Sequence, residues 1–156
     1  MKKKKIFINI TNHTLTEEQR VDAIKRYGIT EFLELPSELK ARYGQVPAGE
    51  DEEVLWDLAE DIRDWVNASH PEAHKWAKCL PPYKDVGDDK CPLVVLLQGE
   101  LGVVGRLLRL LGEQGIPCVY ATTRRESVET VQQDGSVVKT NVFKHAGFRN
   151  ILPNTF

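Results

Sequence analysis

A chain of 156 residues, 41% hydrophobic and 28% charged, is long enough to bury a proper core, and its length fits one domain over 1–156. Its formal net charge of −2 gives no electrostatic case for gripping duplex DNA or a membrane surface non-specifically. Cys79, Cys91 and Cys118 are odd in number and lack a C-x-x-C spacing, which argues against a disulfide framework and a zinc cage.

The lysines that open the chain resemble the start of a signal segment, but only about five apolar-rich residues follow them. No apolar run approaches a membrane span, so the chain reads as cytoplasmic. Residues 4–11 alternate, with Ile6, Ile8 and Ile10 on one face and Phe7 on the other, and form a first strand. Thr16 followed by Gln19 has the form of a capping box. The helix it starts runs through Val21, Ile24 and Tyr27 and stops at Gly28. Residues 31–35 predict a short strand closed by Pro36, and 37–43 a short helix. From Asp51 to Ser69, Val54, Leu55, Leu58, Ile62, Trp65 and Val66 recur at spacings of three and four, with acidic residues opposite them. Residues 70–90, with Pro71, Pro81, Pro82 and Gly87, predict an irregular or partly helical connection.

The run Leu93–Leu97 is continuously apolar, as suits a strand buried on both faces. A glycine-punctuated turn, an amphipathic helix and a strand around Cys118 follow, with Cys118 as a small core residue. Two strand-like runs around Asp134-Gly135 predict a hairpin over about 127–145, closed by a two-residue turn and serving as a lid or a dimer element. This order calls for an α/β fold with a mainly parallel sheet, strand order 2-1-3-4, and the hairpin appended. The loops Thr11-Asn12-His13 and Gln98–Gly102 then face each other across the crevice where such sheets bind ligands.

Gly99, Gly102 and Gly105 are spaced G-x-x-G-x-x-G, which is neither a dinucleotide fingerprint nor a P-loop. Two readings stand: backbone amides that cradle a phosphate, or close packing of the helix on the sheet. Glu100 is awkward beside an anion and instead caps the helix or meets a ribose hydroxyl. Thr122 and Thr123 arrive at the same sheet edge, followed by Arg124 and Arg125, whose guanidinium groups suit two-pronged phosphate contacts. Phe143, Lys144, His145 and Arg149 make a second basic cluster. Residues 101–156 carry 7 Lys+Arg against 4 Asp+Glu, whereas 1–100 carry 14 against 19, so an anionic partner favours the C-terminal third. His13 follows the first strand, where a catalytic histidine is well located. His70 and His74 lie four apart without a third ligand, and no paired-carboxylate metal site is evident. Phosphodiester chemistry here is therefore expected to need no metal.

Four segments carry a family resemblance: His13-Thr14-Leu15-Thr16-Glu17-Glu18-Gln19, Leu97-Gln98-Gly99-Glu100-x-Gly102, Val119–Ser127, and Val142-Phe143-Lys144-His145-x-x-Phe148-Arg149. In this order the chain resembles the Csx-twenty family of type III CRISPR accessory proteins. It departs from that pattern at Ala146-Gly147 and in its longer 70–90 connection. The resemblance implies a Rossmann-like, CARF-related three-layer fold and a ring nuclease that cleaves cyclic tetra-adenylate without cofactor or metal. Attack by a ribose 2′-hydroxyl would leave linear di-adenylate ending in a 2′,3′-cyclic phosphate. A homodimer would set two sheet-edge sites around one ring. Arg124 and Lys144 are then expected to stabilise charge, with His145 or His13 as acid or base. Gly99, Gly102, Thr122, Thr123, Arg125 and Arg149 would hold phosphate, Asn12 and Gln98 would read adenine or ribose edges, and Glu100 would meet a ribose. The competing expectation is a binder without turnover, a sponge or sensor of the cyclic nucleotide.

Overall fold

A computed structural model describes residues 4–70 and 92–151. The expectations for His74, Cys79, Cys91 and most of the 70–90 connection lie outside the described residues. The elements run β1 (Ile6–Ile10), α1 (Glu17–Tyr27), β2 (Glu31–Glu34), α2 (Ser37–Gly44), α3 (Glu52–Ser69), β3 (Leu93–Leu97), α4 (Leu101–Glu113), β4 (Cys118–Val131) and β5 (Val137–Asn150).

Local chemistry sets these boundaries. The Gln19 N–H donates to Thr16 Oγ1 at 3.1 Å and the Thr16 N–H to Gln19 Oε1 at 3.0 Å, closing the capping box of α1. Gly28 ends α1 in the left-handed conformation, at φ 70°. Asp51 caps α3 through the Glu53 N–H, at 3.0 Å. Along α1, however, Ala23 and Tyr27 are the residues turned inward, while Val21 and Ile24 are 53% and 49% exposed. The apolar periodicity of α1 is thus offset from the face it buries.

The strands form one sheet in the order β2-β1-β3-β4-β5. The pairs β1–β2, β1–β3 and β3–β4 are parallel, and β5 returns antiparallel to β4. β1 and β3 lie centrally and are buried along their whole length, which is why their sequences are almost uninterruptedly apolar. One face carries Ile6, Ile8, Ile10, Leu93, Val95 and Leu97 against Tyr43, Leu58, Ile62, Val66, Val103, Leu107 and Leu111 of α2, α3 and α4. The other carries Phe7, Val94, Leu96, Val119 and Phe148 under Ala23 and Tyr27 of α1. Phe7 centres this second core, 5.4 Å from the Phe148 ring and 5.8 Å from Phe32. Three layers result, with the sheet in the middle. Among the described residues no helix is long and apolar enough to cross a membrane.

Two features of the β4–β5 ribbon differ from expectation. The strands pair from Val119↔Asn150 out to Val131↔Val137, so both run unbroken from the core to the tip. The turn is not a two-residue one. The Gln132 N–H donates to the Ser136 carbonyl, the Gly135 N–H donates to the Gln132 carbonyl, and Gly135 takes φ 84°. This is a three-residue connection with glycine in the left-handed position. Asp134 favours it by accepting from both the Ser136 N–H (2.9 Å) and hydroxyl (2.6 Å), and these bonds hold its carboxyl below the usual range.

Near the core the ribbon carries a β-bulge. Thr122 pairs with Gly147 but Thr123 pairs with His145, which leaves Ala146 as an extra residue in β5. Plain alternation from Phe148 would put Lys144 on the α1 face and His145 on the other. The bulge reverses that assignment.

Candidate functional site

The ends of β1 and β3 open onto a crevice of about 190 Å³, lined by Thr11, Asn12, His13, Gln19, Gln98 and Gly99 among others. This is where the strand order switches direction, with β2 on one side of β1 and β3 on the other. Buried polar side chains brace the loop that carries Asn12 and His13. Asn9, 2% exposed, donates from Nδ2 to the His13 carbonyl at 2.8 Å. Thr11 Oγ1 donates to Asn9 Oδ1 at 2.7 Å and accepts from the His13 N–H at 3.2 Å. Asn12 and His13 themselves are exposed. Glu34 of β2 accepts a further, longer bond from Asn9, at 3.3 Å.

Across the crevice, Gln98 fastens the β3 turn to two neighbours. Its N–H donates to the Ile10 carbonyl at 3.1 Å, and its Oε1 accepts from the Ala121 N–H at 3.1 Å. The backbone pairs of β3 with β4 end at Leu96↔Val119, so the Gln98 side chain replaces the next ladder bond. Tyr43, 1% exposed, donates its hydroxyl to the Gln98 carbonyl at 2.6 Å. Burial, and then the charge of Glu100, push the Tyr43 phenol well above its ordinary pKa.

The glycines of this turn answer to packing. A Cβ on Gly99 would lie 2.7 Å from Tyr43 Cζ, and one on Gly102 would lie 2.8 Å from Leu55 Cδ1. Gly105 faces open space. Glu100 caps α4, its Oε2 accepting from the Val103 N–H at 2.9 Å. A carboxylate of the protein itself thus sits at the helix N-terminus, where a phosphate cradle would put an external anion.

The basic residues divide between the two faces of the ribbon. Arg124 and Lys144 are cross-strand partners, so their side chains share one face. Glu126 joins them there, 3.0 Å from Arg124 Nε and 3.8 Å from Lys144 Nζ. By the same alternation Thr122 lies on that face, as does Arg149, the partner of Tyr120. The Thr122 hydroxyl donates to the Gly147 carbonyl at 3.0 Å. Thr123, Arg125 and His145 lie on the opposite, α1-facing side.

His145 is separated from the cations expected to act with it. Its side chain is 7% exposed, its Nε2 lies 2.8 Å from Asp22 Oδ2 of α1, and its ring packs on Phe148 at 4.7 Å. Asp22 also holds Arg26, at 3.4 Å. His145 Nδ1 is buried with no hydrogen-bond partner among the described residues. Of the two histidines expected to act as acid or base, His13 alone opens onto the crevice. Sequence reasoning placed Thr11 in the crevice loop but missed its bracing role with Asn9, and missed Tyr43, Asp22 and Glu126. A polar residue at position 9, inside a strand buried on both faces, was a signal for Asn9. Asp22 stands 123 residues from His145 and leaves no local trace.

Comparison with known proteins gives a family match over residues 5–149, to the family described as "Uncharacterized protein MJ1673 family". A relative described as "Uncharacterized protein MJ1673", from Methanocaldococcus jannaschii, is 27% identical over 149 residues, covering 96% of this chain and 98% of its own. No solved structure matches.

Proposed function

The chain belongs to the MJ1673 family, and for this member we propose a metal-independent ring nuclease that binds and cleaves cyclic tetra-adenylate, switching off type III CRISPR signalling. The observation that carries the proposal is the Arg124–Lys144 cross-strand pair at the carboxyl edge of the sheet, on strands continuous with the Gln98 crevice. In this reading the fold is a Rossmann-like, CARF-related variant acting in the cytoplasm, and a homodimer encloses one four-phosphate ring.

The chemistry needs positioning first. Asn12 and Gln98 orient base or ribose edges, while Thr122 and Arg149, on the face of Arg124 and Lys144, hold phosphate and bring one 2′-oxygen into line. The 2′-oxygen then bonds to phosphorus and the bond from phosphorus to the 5′-oxygen breaks. The 2′-hydroxyl proton leaves to a base, and the 5′-oxygen takes up a proton. Arg124 and Lys144 stabilise the phosphorane, a contribution of about 10²–10³-fold for each well-placed donor. His13, exposed in the crevice, serves as the acid or base. His145, buried against Asp22, holds the ribbon to α1.

That burial also favours a second reading. If His13 transfers no proton, the same phosphate contacts make a cyclic-nucleotide sponge. Incubation of the purified protein with labelled cyclic tetra-adenylate in EDTA separates the outcomes. Linear di-adenylate with a 2′,3′-cyclic phosphate end, abolished in Arg124→Ala and Lys144→Ala, supports the nuclease. Intact bound ligand supports the sponge. Absence of both cleavage and binding rejects the ligand.

A further inference from the structure

The α1-facing side of the ribbon carries a pairing that the proposed reaction does not use. Arg125 and Phe143 are cross-strand partners, with the guanidinium carbon 5.8 Å from the ring centroid. Phe143 is 66% exposed and is the one aromatic among the exposed large hydrophobic residues of the described chain segments. The other cations nearby on the ribbon each have a carboxylate neighbour. Glu126 holds Arg124 and Lys144, and Glu129 holds Lys139 at 3.6 Å. Arg125 has no carboxylate partner among the described residues. A flat apolar ring and an uncompensated flat cation therefore stand side by side in water.

A nucleobase is the ligand class that satisfies both groups. Its π-face stacks on the phenyl ring, and the phosphate next to it pairs with the guanidinium. β5 is the edge strand of the sheet, so Phe143 and Lys144, consecutive in sequence, flank one open edge from its two sides. Their side chains project to opposite faces of that edge, so a ligand that reaches both must wrap around β5, as a flexible oligonucleotide of a few residues can. We infer that Phe143 and Arg125 form a nucleobase-stacking platform that takes one base of an oligoadenylate and its adjoining phosphate, while the next phosphate along the chain reaches Lys144. The inference rests on the functional reading above for the identity of the ligand.

The test uses the full chain with Phe143→Ala and Phe143→Trp; at such an exposed position neither substitution disturbs the core. Loss of one base stack weakens binding of cyclic tetra-adenylate about tenfold to a hundredfold in Phe143→Ala. Phe143→Trp binds as wild type, and its added fluorescence is quenched by cyclic tetra-adenylate but not by tripolyphosphate, which has charge and no base. Wild-type affinity in Phe143→Ala, or quenching by tripolyphosphate alone, overturns the platform and leaves the functional reading intact. If the wild type binds no cyclic tetra-adenylate, that reading fails, and linear tetra-adenylate then decides the platform. Quenching of Phe143→Trp by the linear form upholds it, and silence removes it.

Discussion

Replacing Gly99 by alanine tests whether the crevice is built by packing. The new Cβ would stand 2.7 Å from Tyr43 Cζ and 2.9 Å from Cε1, against a phenol 1% exposed and bonded to the Gln98 carbonyl at 2.6 Å. Ordinary contact begins near 3.4 Å, so the ring must retreat by at least about 0.7 Å, and its hydroxyl, nearer still, by more, inside a filled core; overpacking of this kind costs about 1–3 kcal/mol. Retreat also weakens the phenol–carbonyl bond, worth about 1 kcal/mol. A loss of about 2.5 kcal/mol lowers the melting temperature of a chain this size by about 5–10 °C. Tyr43→Phe alone costs about 1 kcal/mol but removes the atom nearest the new methyl. In the double variant the two losses therefore sum to less than their separate values, by at least about 0.5 kcal/mol. Urea unfolding of the four proteins measures this. If Gly99→Ala melts with the wild type yet loses ligand affinity, position 99 serves close approach of a ligand and the packing argument is refuted.

Alkaline stability reports the buried phenols. Burial, with a smaller addition from Asp22 and opposition from Arg26, pushes Tyr27 up to about 12, and Tyr43 is raised as well. An unfolded phenol ionises near 10. Both contributions are therefore complete below pH 10 and fall away as pH rises toward the folded values, because only the unfolded chain loses protons. The urea midpoint should drop from pH 10 to 12, less steeply in Tyr27→Phe, and parallel curves would contradict this. Asp22→Ala leaves His145 Nε2 buried without its partner and should cost about 1–3 kcal/mol, with a coupling to His145→Ala above about 0.5 kcal/mol in a double-mutant cycle; additive losses would show that the pair is incidental. Glu100→Gln keeps an oxygen to accept from Val103 but removes the charge, so stability should hold while affinity for cyclic tetra-adenylate rises. An unchanged affinity would mean that no phosphate approaches the start of α4.

What the sequence disclosed followed from short-range chemistry. The apolar run 93–97, the box at Thr16 and Gln19, and the heptad-like spacing of α3 each determine their element within a few residues, and they led to the observed strand order. The division of Lys144 from His145 was not legible, because it depends on where β5 absorbs one extra residue against β4. Nor was the outward turn of Val21 and Ile24, since Ala23 and Tyr27 win the buried face by fitting beside Phe7 and Phe148. Asn12, His13, Gln98 and Gly99 were correctly expected to meet at one crevice, but the residues that hold them rigid came from α2 and the interior of β1.

The irregularity at Ala146 gives the ribbon an uneven tolerance to changes in chain length. Ala146 has no partner across the strand, so a descendant that lost this residue would keep Arg124 opposite Lys144 and Thr123 opposite His145. A deletion between 137 and 145 has no such slack. It would slide the strand by one step and set arginine against histidine or phenylalanine against glutamate. Among relatives, a gap at 146 therefore leaves the chemistry of both surfaces as it was, whereas a gap a few positions earlier makes a different protein from nearly the same letters.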